Sequence, residues 1–294
     1  MSETVPMRSS NPALSDKVFK REIEATRAGW AAPDSLRRPA SPDMPPRPPV
    51  DDTVSPWSSP VPPAPPITAD ETMTVGGVVS ASALLITIVL VSGWFGWNQV
   101  ESSPLRIEVP GWLLLAALGG LGVAVLTIFK PKLARFTGPL YAVIEGLLLG
   151  AISHLYEFSY DGIVAQAVGL TVGVFCVMLF LYATRIIKVT EKLRMGIIAA
   201  TGAVMLVYLV SMVLRLFGAD VPFIHDGGPL GIVFSLVVVV IASLNLVLDF
   251  AFLERGSQAG APKYMAWFAA FGLLVTLVWL YLELLRLLGQ LRER

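Results

Sequence analysis

The sequence predicts an all-α integral membrane protein, a seven-transmembrane-helix bundle preceded by a disordered N-terminal tail. Two observations carry that prediction. Of 294 residues, 54% are apolar and only 15% charged, with a mean hydropathy of +0.67. A soluble domain of this size carries nearer a quarter charged residues, so the surplus apolar surface is expected to face lipid. The composition is also split along the chain: residues 1–72 hold 15 of the 22 prolines and no apolar run of spanning length. From Thr74 onward, apolar runs alternate with short charged loops.

The tail, residues 1–72, contains Pro45-Pro46-Arg47-Pro48-Pro49 and Pro60-Val61-Pro62-Pro63-Ala64-Pro65-Pro66. Such stretches favour polyproline II or coil and bury too little apolar area to offset ordering. Leu14 to Trp30 differs, with Val18, Phe19, Ile23 and Trp30 available to one side of a short surface helix. The N-terminus lacks the continuous apolar core of a signal peptide.

Residues 73–294 are expected to form the membrane domain. Crossing a hydrocarbon core of about 30 Å takes roughly 20 residues. Seven stretches qualify, near 74–96, 111–129, 138–156, 162–184, 195–217, 228–252 and 266–289. Gly146-Leu-Leu-Leu-Gly150 and Gly169-Leu-Thr-Val-Gly173 place small residues four apart, which predicts tight packing of the third and fourth helices. The single cysteine, Cys176, excludes an intramolecular disulfide and reads as a small packing residue within an apolar run.

Basic residues set the orientation. The tail carries eight: Arg8, Lys17, Lys20, Arg21, Arg27, Arg37, Arg38 and Arg47. The loops after the second, fourth and sixth helices carry Lys130, Lys132, Arg135, Arg185, Lys188, Lys192, Arg194, Arg255 and Lys263. The loops after the first, third and fifth carry only Arg106. The tail and the even loops are therefore expected in the cytoplasm and the C-terminus outside. The formal net charge is zero, so charge sign points to no partner, and no nucleic acid is expected.

Chemistry is sought where a residue type is out of place. A carboxylate centred in a bilayer costs roughly 3 kcal/mol on insertion scales, and such residues usually face a cavity or a partner. Three acids lie within spans: Glu145, Asp249 and Glu283. Asn245, one turn before Asp249, continues with Ala242 and Ser235 along the same side of the sixth helix. Tyr141 lies one turn from Glu145, and Arg286 is three positions beyond Glu283, where the two can neutralise each other along one helix. Asp249, near a helix end, has the alternative of snorkelling toward Arg255 or Lys263. Counted from Trp267, Glu283 lies about 24 Å along the last helix, toward the outside, whereas Asp249 is near the inside. Straight helices would not bring these two together. They meet if the last helix begins along the cytoplasmic surface or if the sixth is displaced, and Glu145 is a rival partner.

Enzyme readings fail for want of parts. The chain's two histidines, His154 and His225, are far apart and near helix ends, where they read as interfacial, and Arg215 reads as snorkelling outward. Neither an activated serine nor a pair of zinc-ligating histidines is available. No lysine falls within the last helix to hold retinal, and no Gly-rich phosphate loop follows a strand. No cofactor is expected.

Gly228-Pro229-Leu230-Gly231-Ile232-Val233-Phe234, Leu248-Asp249-Phe250 and Leu280-Tyr281-Leu282-Glu283 resemble the end of the Bax inhibitor/YccA-like (TMBIM) membrane family. Tyr141-Ala142-Val143-Ile144-Glu145-Gly146 and Ser9-Ser10-Asn11-Pro12 look like its actinobacterial-type branch. The resemblance implies a seven-helix bundle with the sixth and seventh helices central, in a bacterial plasma membrane. It also implies a pH-sensitive calcium leak channel, with calcium as permeant species and an acid pair, here Asp249 and Glu283, sharing a proton that holds the pore shut. Two carboxylates within about 4 Å in a poorly solvated site do not both stay ionised, so one proton can latch them. Here the second acid is glutamate rather than aspartate, and the segment between the two acids is longer than the family pattern. The alternative is a non-conducting membrane stress regulator, whose Pro-rich tail binds a protein partner such as a membrane protease.

Overall fold

The computed structural model describes residues 72–100, 102–103, 106–107, 111–217 and 228–293. The expected Pro-rich tail, the short helix over 14–30 and His225 lie outside the described residues.

Seven helices form the described chain: α1 Val75–Asn98, α2 Trp112–Phe129, α3 Ala134–Ser159, α4 Ile163–Ala183, α5 Glu191–Leu216, α6 Pro229–Gln258 and α7 Tyr264–Arg292. All seven are long and apolar enough to cross a membrane. The boundaries follow local chemistry. Thr74 caps α1, its hydroxyl accepting from the Gly77 amide at 3.0 Å. Between α1 and α2, Ser102–Ser103 pairs antiparallel with Arg106–Ile107. A 3₁₀ turn at Pro131–Leu133 leads into α3. Glu157, at the end of α3, accepts from the amides of Gly162 and Val164 at 2.7 and 3.0 Å and so caps α4, while Gly162 takes the left-handed conformation that the tight turn needs.

The main boundary correction concerns α6. It runs six residues beyond the expected end at 252, because Leu253-Glu254-Arg255 continue a favourable helical stretch. The first strong stop is Gly260, at φ 64°, followed by Pro262. There the chain entering α1 is fastened: the Met73 amide donates to the Ala261 carbonyl at 2.6 Å, Thr72 bridges Pro262, and the Met73 side chain is buried with its sulfur beside Gly256. The start of α1 and the α6–α7 connection therefore share one end of the bundle.

Helix α7 is the hub. Its apolar window is 61% buried, against 11% for α2 and 17% for α4 and α5. One core cluster joins α1, α3 and α7 around Leu85, Tyr141 and Phe271, and a second joins α6 and α7 around Leu246 and Leu280. The outer faces of α2, α4 and α5 display large apolar side chains such as Leu115, Phe129, Phe180, Met205 and Leu209. Such a surface requires lipid.

The expected close packing of α3 with α4 is corrected. Gly146 and Gly150 face α1, and a Cβ at either would overlap the backbone of Val89 or Gly93; a Cβ at Gly96 would likewise overlap Leu147. Gly169 and Gly173 have nothing within 4 Å of a built Cβ. Glycine spacing marks a flat helix face and says nothing of which neighbour lies on it. Cys176 is also corrected: its thiol is exposed on α4 rather than packed inside.

Candidate functional site

A seam of polar side chains runs along the contacts of α5, α6 and α7. Its backbone frame is an antiparallel register between α6 and α7. Asp249 of α6 faces the Thr276 hydroxyl of α7. Fourteen residues earlier on α6, Ser235 donates to Gln290 Oε1 at 2.7 Å, fourteen residues later on α7. Equal steps in opposite directions mean that the two helices run side by side with Asp249 level with Thr276 and Ser235 level with Gln290. Glu283 is then level with Ala242, which is fully buried. Seven residues of helix separate Glu283 from Thr276, or about 10 Å.

This register settles the geometry of the carboxylates. Helix α7 is continuous from Tyr264 to Arg292, so no surface-lying first segment brings Glu283 down to Asp249. The acid pair that the resemblance implies is not formed. Glu145 is no substitute: on α3 it stands against Tyr141, one turn away, and points at Gly120 of α2, where a Cβ would lie 3.5 Å from Oε2. Tyr141 in turn packs edge-on against Phe271 of α7, with ring centroids 5.2 Å apart. The three acids occupy three separate places.

Their surroundings differ in kind. Glu283, 5% exposed, has a hydrogen bond at one oxygen and an ionic contact at the other. Its Oε1 accepts from the Tyr208 hydroxyl of α5 at 2.6 Å, and its Oε2 lies 2.7 Å from the Arg286 guanidinium. That second contact is ionic rather than a directed hydrogen bond, since neither Oε2 nor the facing nitrogen meets hydrogen-bond geometry. The Arg286 guanidinium lies 5.2 Å from the ring centre of Tyr208 and 5.7 Å from that of Phe234. The sequence alternative of a self-neutralising Glu283–Arg286 pair is the arrangement found.

Asp249 is the opposite case. Its Oδ2 is buried with no hydrogen-bond partner among the described residues. Thr276, its neighbour, also donates to the Gly272 carbonyl at 3.2 Å. The polar neighbour of Asp249 is Thr276, and among the described residues no ion pair joins Asp249 to Arg255. Buried polar atoms are ordinarily paired, and an open carboxylate oxygen is the costliest kind to leave alone. Asn245 donates to Thr201 Oγ1 of α5 at 2.8 Å and to the Ile241 carbonyl at 2.9 Å. Ser211, one turn beyond Tyr208 on α5, is also buried with no partner for its hydroxyl among the described residues.

From the end shared with Met73 outward, the seam therefore reads Asp249 with Thr276, then Asn245 with Thr201, then Glu283, Tyr208 and Arg286, then Ser235 with Gln290. Thr201, Tyr208, Thr276 and Gln290 were not singled out from sequence. Thr201 and Tyr208 are seven apart, two turns along one face of an otherwise apolar helix, which was the signal available. Among the described residues, no three His, Cys, Asp or Glu side chains gather as a metal site.

The sequence model of the family described as Bax inhibitor 1 like matches residues 11–293. No curated protein matches the chain.

Proposed function

The chain belongs to the Bax inhibitor 1 like family, and from that premise we propose that it is a pH-sensitive cation leak channel, for calcium above all, with its route along the α5–α6–α7 seam. The observation that carries this reading is the open oxygen of Asp249: Oδ2, buried inside an apolar bundle, has no hydrogen-bond partner among the described residues. An ionised Asp249 attracts a cation; a protonated one does not. Flux should therefore rise with pH. The pH response is assigned to Asp249 itself, because Glu283 is held by Tyr208 and Arg286 and Glu145 lies on the α2–α3 side.

The test is calcium entry into proteoliposomes at several pH values. Wild type should conduct more as pH rises, and Asp249→Asn should lose most of the flux or its pH dependence. An unchanged flux and pH profile in Asp249→Asn would sink the mechanism.

A second reading is a non-conducting regulator acting through the N-terminal tail. It is favoured by the fastening of Thr72 and Met73 to the α6–α7 connection, which links the root of the tail to the central helices. Deleting residues 1–70 should then abolish the cellular phenotype while leaving any ion flux intact. A truncated chain that behaves as wild type in cells defeats it.

A further inference from the structure

Among the described residues the seam holds one buried cation, Arg286, and its direction is unexpected. Arg286 lies about two turns before the outer end of α7. A long basic side chain so placed ordinarily extends outward to water. Here it turns the other way, toward Glu283, one turn nearer the middle of the bundle. It is held there on three sides, by the Glu283 carboxylate at 2.7 Å and by the rings of Tyr208 and Phe234. These holders come from three helices: α7, α5 and α6. Only 19% of the Arg286 side chain is exposed.

The geometry points to Arg286 as an internal plug, a tethered cation that occupies the outer half of the seam and rejects other cations until it is displaced. This rests on the leak reading above and extends it from the inner carboxylate to the outer barrier. In the closed arrangement the outer half carries no net charge, because Glu283 and Arg286 cancel. A calcium ion leaving Asp249 toward the outside would meet a guanidinium with its carboxylate already engaged. Moving Arg286 outward by one rotamer change would free Glu283, which would then become a second acidic step about 10 Å beyond the level of Asp249. Two acidic steps in line make a cation path, whereas one step behind a fixed positive charge makes a closed one. Tyr208 and Phe234 give the plug its address: an ammonium in place of the planar guanidinium keeps the charge but loses part of the stacking.

The experiment is calcium flux into proteoliposomes holding the full chain, at alkaline pH. At alkaline pH Arg286→Gln removes the plug and leaves the Glu283 carboxylate without its counter-charge, so flux should rise about tenfold or more, since attraction between unit charges about 4 Å apart at an effective dielectric constant near 20 exceeds one power of ten. Arg286→Lys should stay within about threefold of wild type, because the charge is kept. Glu283→Gln leaves the guanidinium uncompensated and should fall below wild type. Phe234→Leu removes one wall without changing any charge and should rise by less than Arg286→Gln. If Arg286→Gln is not monodisperse, the opposite signs expected of Glu283→Gln and Phe234→Leu carry the test. An Arg286→Gln flux at or below wild type, or no change in both Glu283→Gln and Phe234→Leu, overturns the plug. If that occurs while Asp249→Asn still abolishes a wild-type flux, the plug alone fails. If neither wild type nor Arg286→Gln exceeds protein-free vesicles, the leak reading fails and takes the plug with it.

Discussion

At the scale of single residues, Thr276 explains why the acids in this chain do not latch one another. It occupies the α7 position level with Asp249, where a second carboxyl would be needed, and offers a hydroxyl instead. Thr276→Asp should therefore create the pair that the wild-type chain lacks. At low pH the two carboxyls can share a proton across the α6–α7 contact; at high pH both ionise in a poorly solvated place and repel. The folded variant then binds more protons than its unfolded chain, so its stability falls as pH rises. The melting temperature of the solubilised variant should drop with pH more steeply than that of wild type, and its calcium flux should switch over a narrower pH interval. A melting profile parallel to that of wild type would show that residues 249 and 276 do not face each other. Asp249, Glu283 and Glu145 were legible in the sequence because a carboxylate in an apolar run is conspicuous. Their partners were less so: a tyrosine or threonine in a membrane helix is ordinary until its neighbour is known, and only the fold brings Tyr208 to Glu283.

At the scale of helices, the α1–α3 contact depends on absent side chains. Gly96, Gly146 and Gly150 leave no room for a Cβ because backbone atoms of the opposite helix stand there. Backbone does not yield as a flexible side chain does, so Gly150→Ala must push α1 and α3 apart. Overpacking of this kind costs about 1–3 kcal/mol, and Gly150→Ala should lower the melting temperature of the solubilised protein by several degrees. Gly169→Ala and Gly173→Ala enter open space on α4 and should leave it unchanged or slightly raised, since alanine favours helix. Equal losses at all three sites would contradict the packing described. The two glycine pairs look alike in sequence, and what separates them is the neighbour: α1 presents its own Gly93 and Gly96 to α3, whereas nothing comparable lies against Gly169 and Gly173.

At the scale of the whole molecule, the seven helices were legible because lipid leaves the backbone few choices. That straight helices would keep Asp249 and Glu283 apart was legible too, but the size of the offset was not, because it depends on where α6 stops. Each residue added to a helix moves the register by about 1.5 Å, so the six-residue extension to Gln258 brings Asp249 about 9 Å nearer the level of Glu283 and still leaves about 10 Å between them. A sidedness can be proposed from connectivity combined with charge. Successive helices alternate direction, so the α2–α3, α4–α5 and α6–α7 connections lie at the end that also receives Thr72 and Met73. Those three connections and the helix ends beside them carry Lys130, Lys132, Arg135, Arg185, Lys188, Lys192, Arg194, Arg255 and Lys263, while Arg106 is the one basic residue in the three opposite loops. Cytoplasmic loops retain lysine and arginine, so we propose that the Asp249 end of the seam lies inside and the Arg286 end outside. In a Cys176→Ser background, a membrane-impermeant maleimide should label Glu293→Cys in intact cells and Lys263→Cys only after permeabilisation. The reverse pattern would invert the molecule, putting Arg286 on the cytoplasmic half of the route and Asp249 on the outer half, and the pH that governs the leak would then be that of the exterior.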